Sequence, residues 1–359
     1  MAYLDTTVLN DFQAKEATNE KFIANYGMLN LAKDSTPFAD YIPPSVRERL
    51  STISASRNAQ IPVLKDQQVT VTTVPGFNNI PINLGESDNY FFTAFDVFSG
   101  FRLYPASYEN NQLDAAFYRD NIIKNVLQEM AVSKDNIIES VMELRKTQLL
   151  NFTAQVSQGN GTFVFDGGTD TLNINKAAQT DTMFTYLNEL MIANQLPGNY
   201  RIVTSPAGLL VSEVTALKNR EQQAIQTLWD QTAVPPDRRY QTNQISPASD
   251  NFKGFFVRDG DIGTIENFPW DFRNGTMFGG KEWSITDVEM PFTRSRMNVY
   301  VNKEATDATS IITPTTDTNL IMTHFEEMAM WDRFYVVYRY NSDLTSRQNG
   351  LVKIAGLTT

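Results

Sequence analysis

His324 is the only histidine in the chain, so any imidazole chemistry would have to run through it. It stands in MTHFEEM with Glu327 three residues on, and a helix there would place the two on one face, within reach of a shared metal ion. A zinc site needs three or four protein ligands, and the chain offers no second histidine and no cysteine. An ordinary, partly buried histidine is therefore the expectation. No G-x-S-x-G elbow accompanies His324 to support a nucleophilic triad. Carboxylate chemistry has more candidates, Asp166 to Asp170 in DGGTD and Asp259 to Asp261 in DGD. Neither fits the twelve-residue calcium loop, and both read as turns. Gly279-Gly280-Lys281 lacks the upstream glycine and the following Ser or Thr of a phosphate loop. Arg238, Arg239 and Tyr240, with Arg294 and Arg296 elsewhere, are too few for a nucleic-acid groove and read as solvated or intersubunit ion pairs. No catalytic, cofactor-binding or metal-binding residue is assigned, and the chain is expected not to be an enzyme.

The whole sequence points the same way. A chain of 359 residues with 42% hydrophobic content can bury a substantial core in one to three domains. Its 23 Phe, 14 Tyr and 4 Trp suggest surfaces meant for burial against partners. The net charge of -11 argues against a dedicated nucleic-acid binder, which needs clustered Lys and Arg. The absence of cysteine excludes disulfides and thiolate sites. No run reaches the eighteen or so apolar residues of a membrane span, and MAYLDTTVLNDF lacks signal-peptide features, so a soluble product made in a cytoplasm is expected. Sequons at Asn151, Asn160 and Asn274 are short enough to arise by chance.

The elements that would position any surface follow from periodicity. Residues 1–60 read as a polar arm with short helical stretches near Asn10 to Tyr26 and Val46 to Ile53. Ile61 to Val74 alternates as a strand, and YFFTAFDVFSGFRLY (90–104) reads as its antiparallel partner. The Pro-, Gly- and Asn-rich stretch PGFNNIPINLGESDN lies between them, giving a long hairpin with a broad tip. A lone two-stranded ribbon is marginal in water, and this one carries bulky apolar side chains on both faces. Its tip adds Phe77, Ile80, Ile82 and Leu84, so something must cover it, either its own domain or a neighbour.

Asp114 to Leu150 carries the strongest helical pattern. Ile123, Leu127, Met130, Ile137, Val141 and Leu144 step by fours and threes, with Lys134 interrupting the seam. A helix of ~35 residues would be ~50 Å long, a rod better suited to a scaffold spine than to a globular core. A mixed region follows. GTFVFDGG reads as a strand and turn, and DTMFTYLNELMIANQL as an amphipathic helix burying Met183, Phe184, Leu187, Leu190 and Met191. YRIVTS reads as a buried strand and Ser205-Pro206 as the start of a helix reaching Asn219. Residues 232–251 read as a loop, followed by strands near Gly254 to Arg258, Gly263 to Glu266, Trp283 to Ile285 and Met297 to Val301. Thr306 to Thr318 reads as a linker. Near the end, Phe334, Val336, Tyr338 and Tyr340 alternate with Arg333, Tyr335, Val337 and Arg339, giving one apolar and one basic face. GLVKIAGL reads as a closing strand.

This order of elements resembles the tailed-phage major capsid protein family, the Hong Kong 97 fold. The likeness is carried by IPVLKDQQVTVTTVPGF, LDAAFYRDNIIKNVLQEM, YRIVTSPAGLL, WDRFYVVYRYN and GLVKIAGL, and it rests on order and texture rather than a signature motif. It implies an α+β chain with an N-terminal arm over 1–60 and an extended loop over 61–110. A peripheral domain with a spine helix would span 111–175, an axial domain 176–305, and 306–359 would return to the peripheral domain.

The function that the resemblance implies is that of a virion shell subunit made in a bacterial cytoplasm. It would assemble with itself into hexamers and pentamers of an icosahedral capsid, without cofactor. A separate scaffolding protein and a portal would be partners, packaged DNA would be touched only weakly and non-specifically, and no membrane would be involved. In this family the extended loop lies over a neighbour, which makes Phe77, Ile80, Ile82 and Leu84 expected intersubunit contacts. Arg333 and Arg339 are the candidate intersubunit charge contacts. Members that cross-link use a loop lysine; Lys65 is the only lysine of this hairpin and lies at its base, so a solvated role is expected. Three rival readings stand beside this one: an encapsulin-like cargo compartment, a carboxylate-based hydrolase from another class, and a tail or baseplate protein that would form rings or tubes.

Overall fold

The computed structural model describes residues 26–35, 48, 58–64, 87–103, 115–150, 154–156, 161–179, 183–206, 238–267, 276–278, 281–290, 295–307, 323–339 and 349–358. Helices and mainly antiparallel strands share the chain, an α+β arrangement. Among the described residues three longer α-helices, α1 (Gly27–Asp34), α2 (Ala115–Arg145) and α3 (Met183–Ala193), accompany two seven-stranded sheets. The first sheet runs β1 (Asn58–Leu64), β2 (Ser87–Leu103), β13 (Thr323–Tyr338), β12 (Ser295–Asp307), β11 (Lys281–Met290) and β10 (Thr276–Phe278), with β9 (Ile262–Asn267) also paired to β13. The second runs β3 (Ala154–Val156), β4 (Gly161–Asp166), β5 (Thr171–Ile174), β14 (Leu351–Gly356), β8 (Phe252–Arg258), β6 (Tyr200–Thr204) and β7 (Arg239–Gln241). Ribbon, long helix, mixed region and long closing strands follow one another in the order that the resemblance implies.

The long helix has 31 residues, hence a length of ~46 Å at 1.5 Å per residue. Its N-terminal half buries Ile123, Leu127 and Met130 as the spacing predicts. Beyond Lys134 the buried stripe moves to Asp135, Ile138 and Met142, while Ile137 and Val141 are only half-buried and Leu144 is 62% exposed. The heptad reading therefore fails in the second half. A straight helix drifts ~20° per heptad away from a strict 3.5 repeat, and here α1 and β14 bury the side reached by steps of four. Ile138→Ala and Met142→Ala should each cost about 2–5 kcal/mol, whereas Leu144→Ala should stay within about 0.5 kcal/mol. Chemical denaturation of the three variants checks the assignment.

The span read as an arm contains an element that the sequence reading passed over. α1 buries Met28, Leu29, Leu31 and Ala32 completely or nearly so. It packs against α2, against β9 of the first sheet, and against β6 and β7 of the second. Gly27 allows this approach, since a Cβ there would lie 2.2 Å from the Gln241 carbonyl oxygen. The helical stretches expected near Asn10 to Tyr26 and Val46 to Ile53 fall outside the described residues, apart from Tyr26 and Glu48.

α3 matches its expectation fully: Met183, Phe184, Leu187, Leu190 and Met191 are all buried. YRIVTS and GLVKIAGL form β6 and β14 as expected. Two readings need correction. The loop over 232–251 contains β7, whose three residues pair in parallel with Ile202 to Thr204. The basic face of β13 does not exist as a solvent face, because residues 332–337 are buried on both sides. β13 is central, pairing with β2 along one edge and with β12 and then β9 along the other. β9 to β12 share a sheet with β2 and β13, while the closing β14 sits between β5 and β8.

Candidate assembly surface

β2 is the element on which the surface is built, and its two halves have different partners. Ala94 to Leu103 pair with Glu326 to Tyr335 of β13 inside the sheet. Among the described residues Ser87 to Thr93 pair only with Asn58 to Leu64 of β1, so β1 and the first half of β2 extend beyond β13 as a two-stranded antiparallel ribbon. Such a ribbon is at best marginally stable by itself. Phe91 in this ribbon is 68% exposed. The broad tip between Leu64 and Ser87, with Phe77, Ile80, Ile82, Leu84 and Lys65, lies outside the described residues.

Where β2 enters the sheet its alternation separates two faces. Val97, Phe101 and Leu103 turn inward, onto the core shared with Ile123, Leu127 and Met130 of α2. Phe98, opposite Trp331 and 66% exposed, belongs to the outer face. Tyr300 stacks on Trp331 with centroids 6.4 Å apart. The Trp331 indole N–H donates to Asp96 Oδ1 at 3.0 Å. Arg333 donates to the same carboxylate at 2.6 Å and lies 4.8 Å over the Trp331 ring. Arg102 pairs with Glu327 at 2.7 Å on the same face. The result is an aromatic patch with its charges balanced, since each arginine already faces a carboxylate of its own chain. Further exposed apolar groups stand at the two ends of α2, Phe117 at 67% and Leu144 at 62%.

Arg333, a candidate charge contact, is thus 7% exposed and its charge is met by Asp96 inside the subunit. Arg339 is half-buried, its guanidinium 4.0 Å from the Asp261 carboxylate, and its backbone N–H donates to Asp261 O. Asp261 is itself a hub. It accepts from Arg258 at 2.9 Å and from the Gly350 N–H at 2.7 Å, which ties the β8–β9 turn to the start of β14. Burial pushes its carboxyl above the ordinary range against the pull of Arg258. Asp259 pairs with Arg201 and with Arg238 at 3.5 Å, and Arg239 lies over the Phe184 ring. Intramolecular pairing therefore accounts for DGD and for the first arginine pair.

DGGTD is the turn that was expected. Asp166 accepts from the Gly168 N–H and the Thr169 hydroxyl, and those hydrogen bonds hold its carboxyl below the usual range. From Thr323 onward MTHFEEM is strand rather than helix, with His324 opposite Thr306. Positions three apart alternate faces on a strand, so the face sharing that a helix would give to His324 and Glu327 does not arise. Among the described residues no group of three or more His, Asp or Glu could hold a metal ion. Arg296 pairs with Glu289 in the backbone register of β11 and β12, and Arg294 lies outside the described residues.

Two charged residues that sequence reasoning did not connect form the most buried ion pair among the described residues. Lys134 of α2 and Asp332 of β13, 2% and 1% exposed, meet at 2.5 Å. Burial pushes the Asp332 carboxyl up, against the pull of Lys134. The signal was present, because Lys134 interrupts an apolar seam and Asp332 falls in phase with Met328, Met330, Phe334 and Val336. A charge in core phase on each of two elements marks a pair.

No family model and no curated protein matches the chain. Among solved structures it is similar to a chain of Mycobacterium phage Adephagia, at 10% identity and a TM-score of 0.46, over 94% of this chain and 91% of that one. It is also similar to a chain of the capsid structure of cyanophage P-SCSP1u, at 12% identity and a TM-score of 0.45, over 86% of each chain. A third is a chain of the bacteriophage PhiM1 mature capsid, at 10% identity and a TM-score of 0.44, over 86% of this chain and 85% of that one. The likeness is general in kind.

Proposed function

We propose that the chain is the structural subunit of a closed protein shell, a major capsid protein of a tailed double-stranded DNA phage. Copies assemble into hexamers and pentamers through weak contacts that act together in a closed surface. One observation carries this reading: among the described residues Ser87 to Thr93 pair with β1 alone, beyond the stretch of β2 that pairs with β13, with Phe91 68% exposed. Phe92 is covered inside the subunit by Tyr338, whereas Phe91 on the opposite face gains its cover when another copy lies against the ribbon, and the tip residues Phe77, Ile80, Ile82 and Leu84 extend the same contact. The outer patch of Phe98, Trp331 and Tyr300 offers a second one. Because its arginines are already neutralised, association there is driven by apolar burial rather than by charge. A scaffolding protein supplied separately and a portal complete the assembly. Arg339 at the sheet edge contributes at most a secondary charge contact.

Negative-stain microscopy of the expressed protein, alone and with its scaffolding partner, tests the proposal. Closed shells are expected; rings or open tubes in their place would contradict it. Phe91→Ser and Phe98→Ser should leave the free subunit within about 0.5 kcal/mol of its stability, since both rings are exposed. Each should slow assembly, followed by light scattering, by about tenfold or more, the effect of truncating an aromatic anchor.

A further inference from the structure

α1 has eight residues, and isolated helices shorter than about 12–15 residues are marginal in water. Its N-cap residue Tyr26 supplies no side-chain cap. The cap comes instead from another helix: Asp135 of α2 accepts from the Leu29 N–H at 2.9 Å, and its other oxygen accepts from the Thr242 hydroxyl at 2.6 Å. At the far end Lys33 donates to Glu266 of β9 at 3.2 Å. Asp34 accepts from the Tyr240 hydroxyl of β7 at 3.0 Å, and the Gly260 N–H donates to Ser35 Oγ at 3.0 Å. One end of the helix is thus tied to α2 and the second sheet, and the other to both sheets. Apart from the single bridge from Tyr26 to Thr242, its backbone joins no strand among the described residues.

The charged groups around this seat come from every packed element. α1 brings Lys33 and Asp34, α2 brings Lys134, Asp135 and Glu139, β9 brings Glu266, β13 brings Asp332, and β7 brings Tyr240 with Arg201 of β6 behind it. We propose that α1 is a separable brace: seated, it holds the two sheets in one relative orientation, and the acidity of the medium sets how firmly it sits. This concerns the subunit itself and stands apart from the shell reading.

The sign follows from the seat. Burial raises the Asp135 carboxyl to about 6, against the hydrogen bonds from Thr242, Leu29 and Met28. Burial, then the neighbouring Lys134, lowers Lys33 to about 8, against the pull of Glu266. Near neutrality both are charged and poorly solvated, and unseating returns both to water. The seated state therefore binds a proton at Asp135 more readily than the open state does. Seating strengthens as pH falls from about 6 toward the ordinary carboxylate value, and the gain is lost as pH rises through about 6.

Hydrogen–deuterium exchange of the full chain, read by mass spectrometry on peptides and corrected for intrinsic rates, tests this. At neutral pH the peptide covering 27–34 should open more readily than those covering β6 and β8. Between pH 7 and pH 5 its opening should fall by about tenfold, the ratio expected for one carboxyl moved from ~3.9 to about 6. Asp135→Asn, which keeps one acceptor oxygen and cannot ionise, should flatten that dependence. If 27–34 exchanges only together with β6 and β8, at their rate and with their pH dependence, α1 is permanent core and the proposal is wrong. An Asp135→Asn chain with the unaltered slope would overturn it as well, and should that variant fail to fold, the unmodified protein alone decides.

Discussion

Deleting Phe77 to Leu84 is expected to leave a folded subunit that no longer builds closed shells. Two clusters make the described core: one joins β2, α2, β9, β12 and β13 with α1 and with residues of β6, β8 and β14, and the other lies between α3 and the second sheet. The ribbon that leads to the deleted stretch extends beyond β13 before Ala94, and β13 stops pairing with β2 at that residue. On the proposal that the tip takes its cover from a neighbouring copy, its removal leaves both clusters intact and thermal unfolding should be nearly unchanged. Assembly should fail because each copy loses an anchor for its neighbour, and many such contacts act together in a shell. Circular dichroism and microscopy on the same preparation read the two effects separately. Loss of the folded state, or normal shells, would each contradict the assignment.

Lys134→Ala should destabilise the subunit by about 3–5 kcal/mol, because it leaves the Asp332 carboxylate buried without its partner. Both groups are nearly inaccessible, and Lys134 also lies 4.7 Å over the Phe334 ring, so solvent cannot replace the lost charge. The paired replacement Lys134→Met with Asp332→Leu should recover most of that loss, since a buried ion pair exchanged for apolar groups of similar size is often close to neutral. A double-mutant cycle by denaturant unfolding gives the coupling directly. If Lys134→Ala cost less than about 1 kcal/mol, water would be reaching the pair and the packing of α2 on β13 would be wrong.

How much of this was legible in the sequence depended on whether the signal was local. α3 and β14 declared themselves through period and composition, and the ribbon only in part, because the run expected to pair with the first strand over 90–104 does so only up to Thr93 and then turns to β13. The first half of α2 was equally plain. Its second half was not, because the heptad pattern through Ile137, Val141 and Leu144 is a property of one helix, whereas burial of Ile138 and Met142 is decided by what packs there. α1 was missed for the same reason: eight residues with a borrowed cap carry no start signal of their own, and Asp135 stands about a hundred residues away. The alternation of Arg333 with Phe334 read as a half-exposed strand, yet β13 is central and Asp96 neutralises the arginine. Strand partners so distant in sequence also explain why the pairing of β9 to β12 with β2 and β13 could not be read from the sequence. For the candidate surface, the sequence pointed to the ribbon and its tip, while the Phe98, Trp331 and Tyr300 patch needed three strands in register to appear.

Sedimentation velocity of the purified chain over a rising concentration series tests most directly whether the ribbon takes its cover from another copy. Growth into multi-subunit rings and shells, with Phe91 and Phe98 becoming protected from chemical labelling as they form, is the result expected. A single-chain particle persisting at the highest concentration, with both rings already protected, would contradict it.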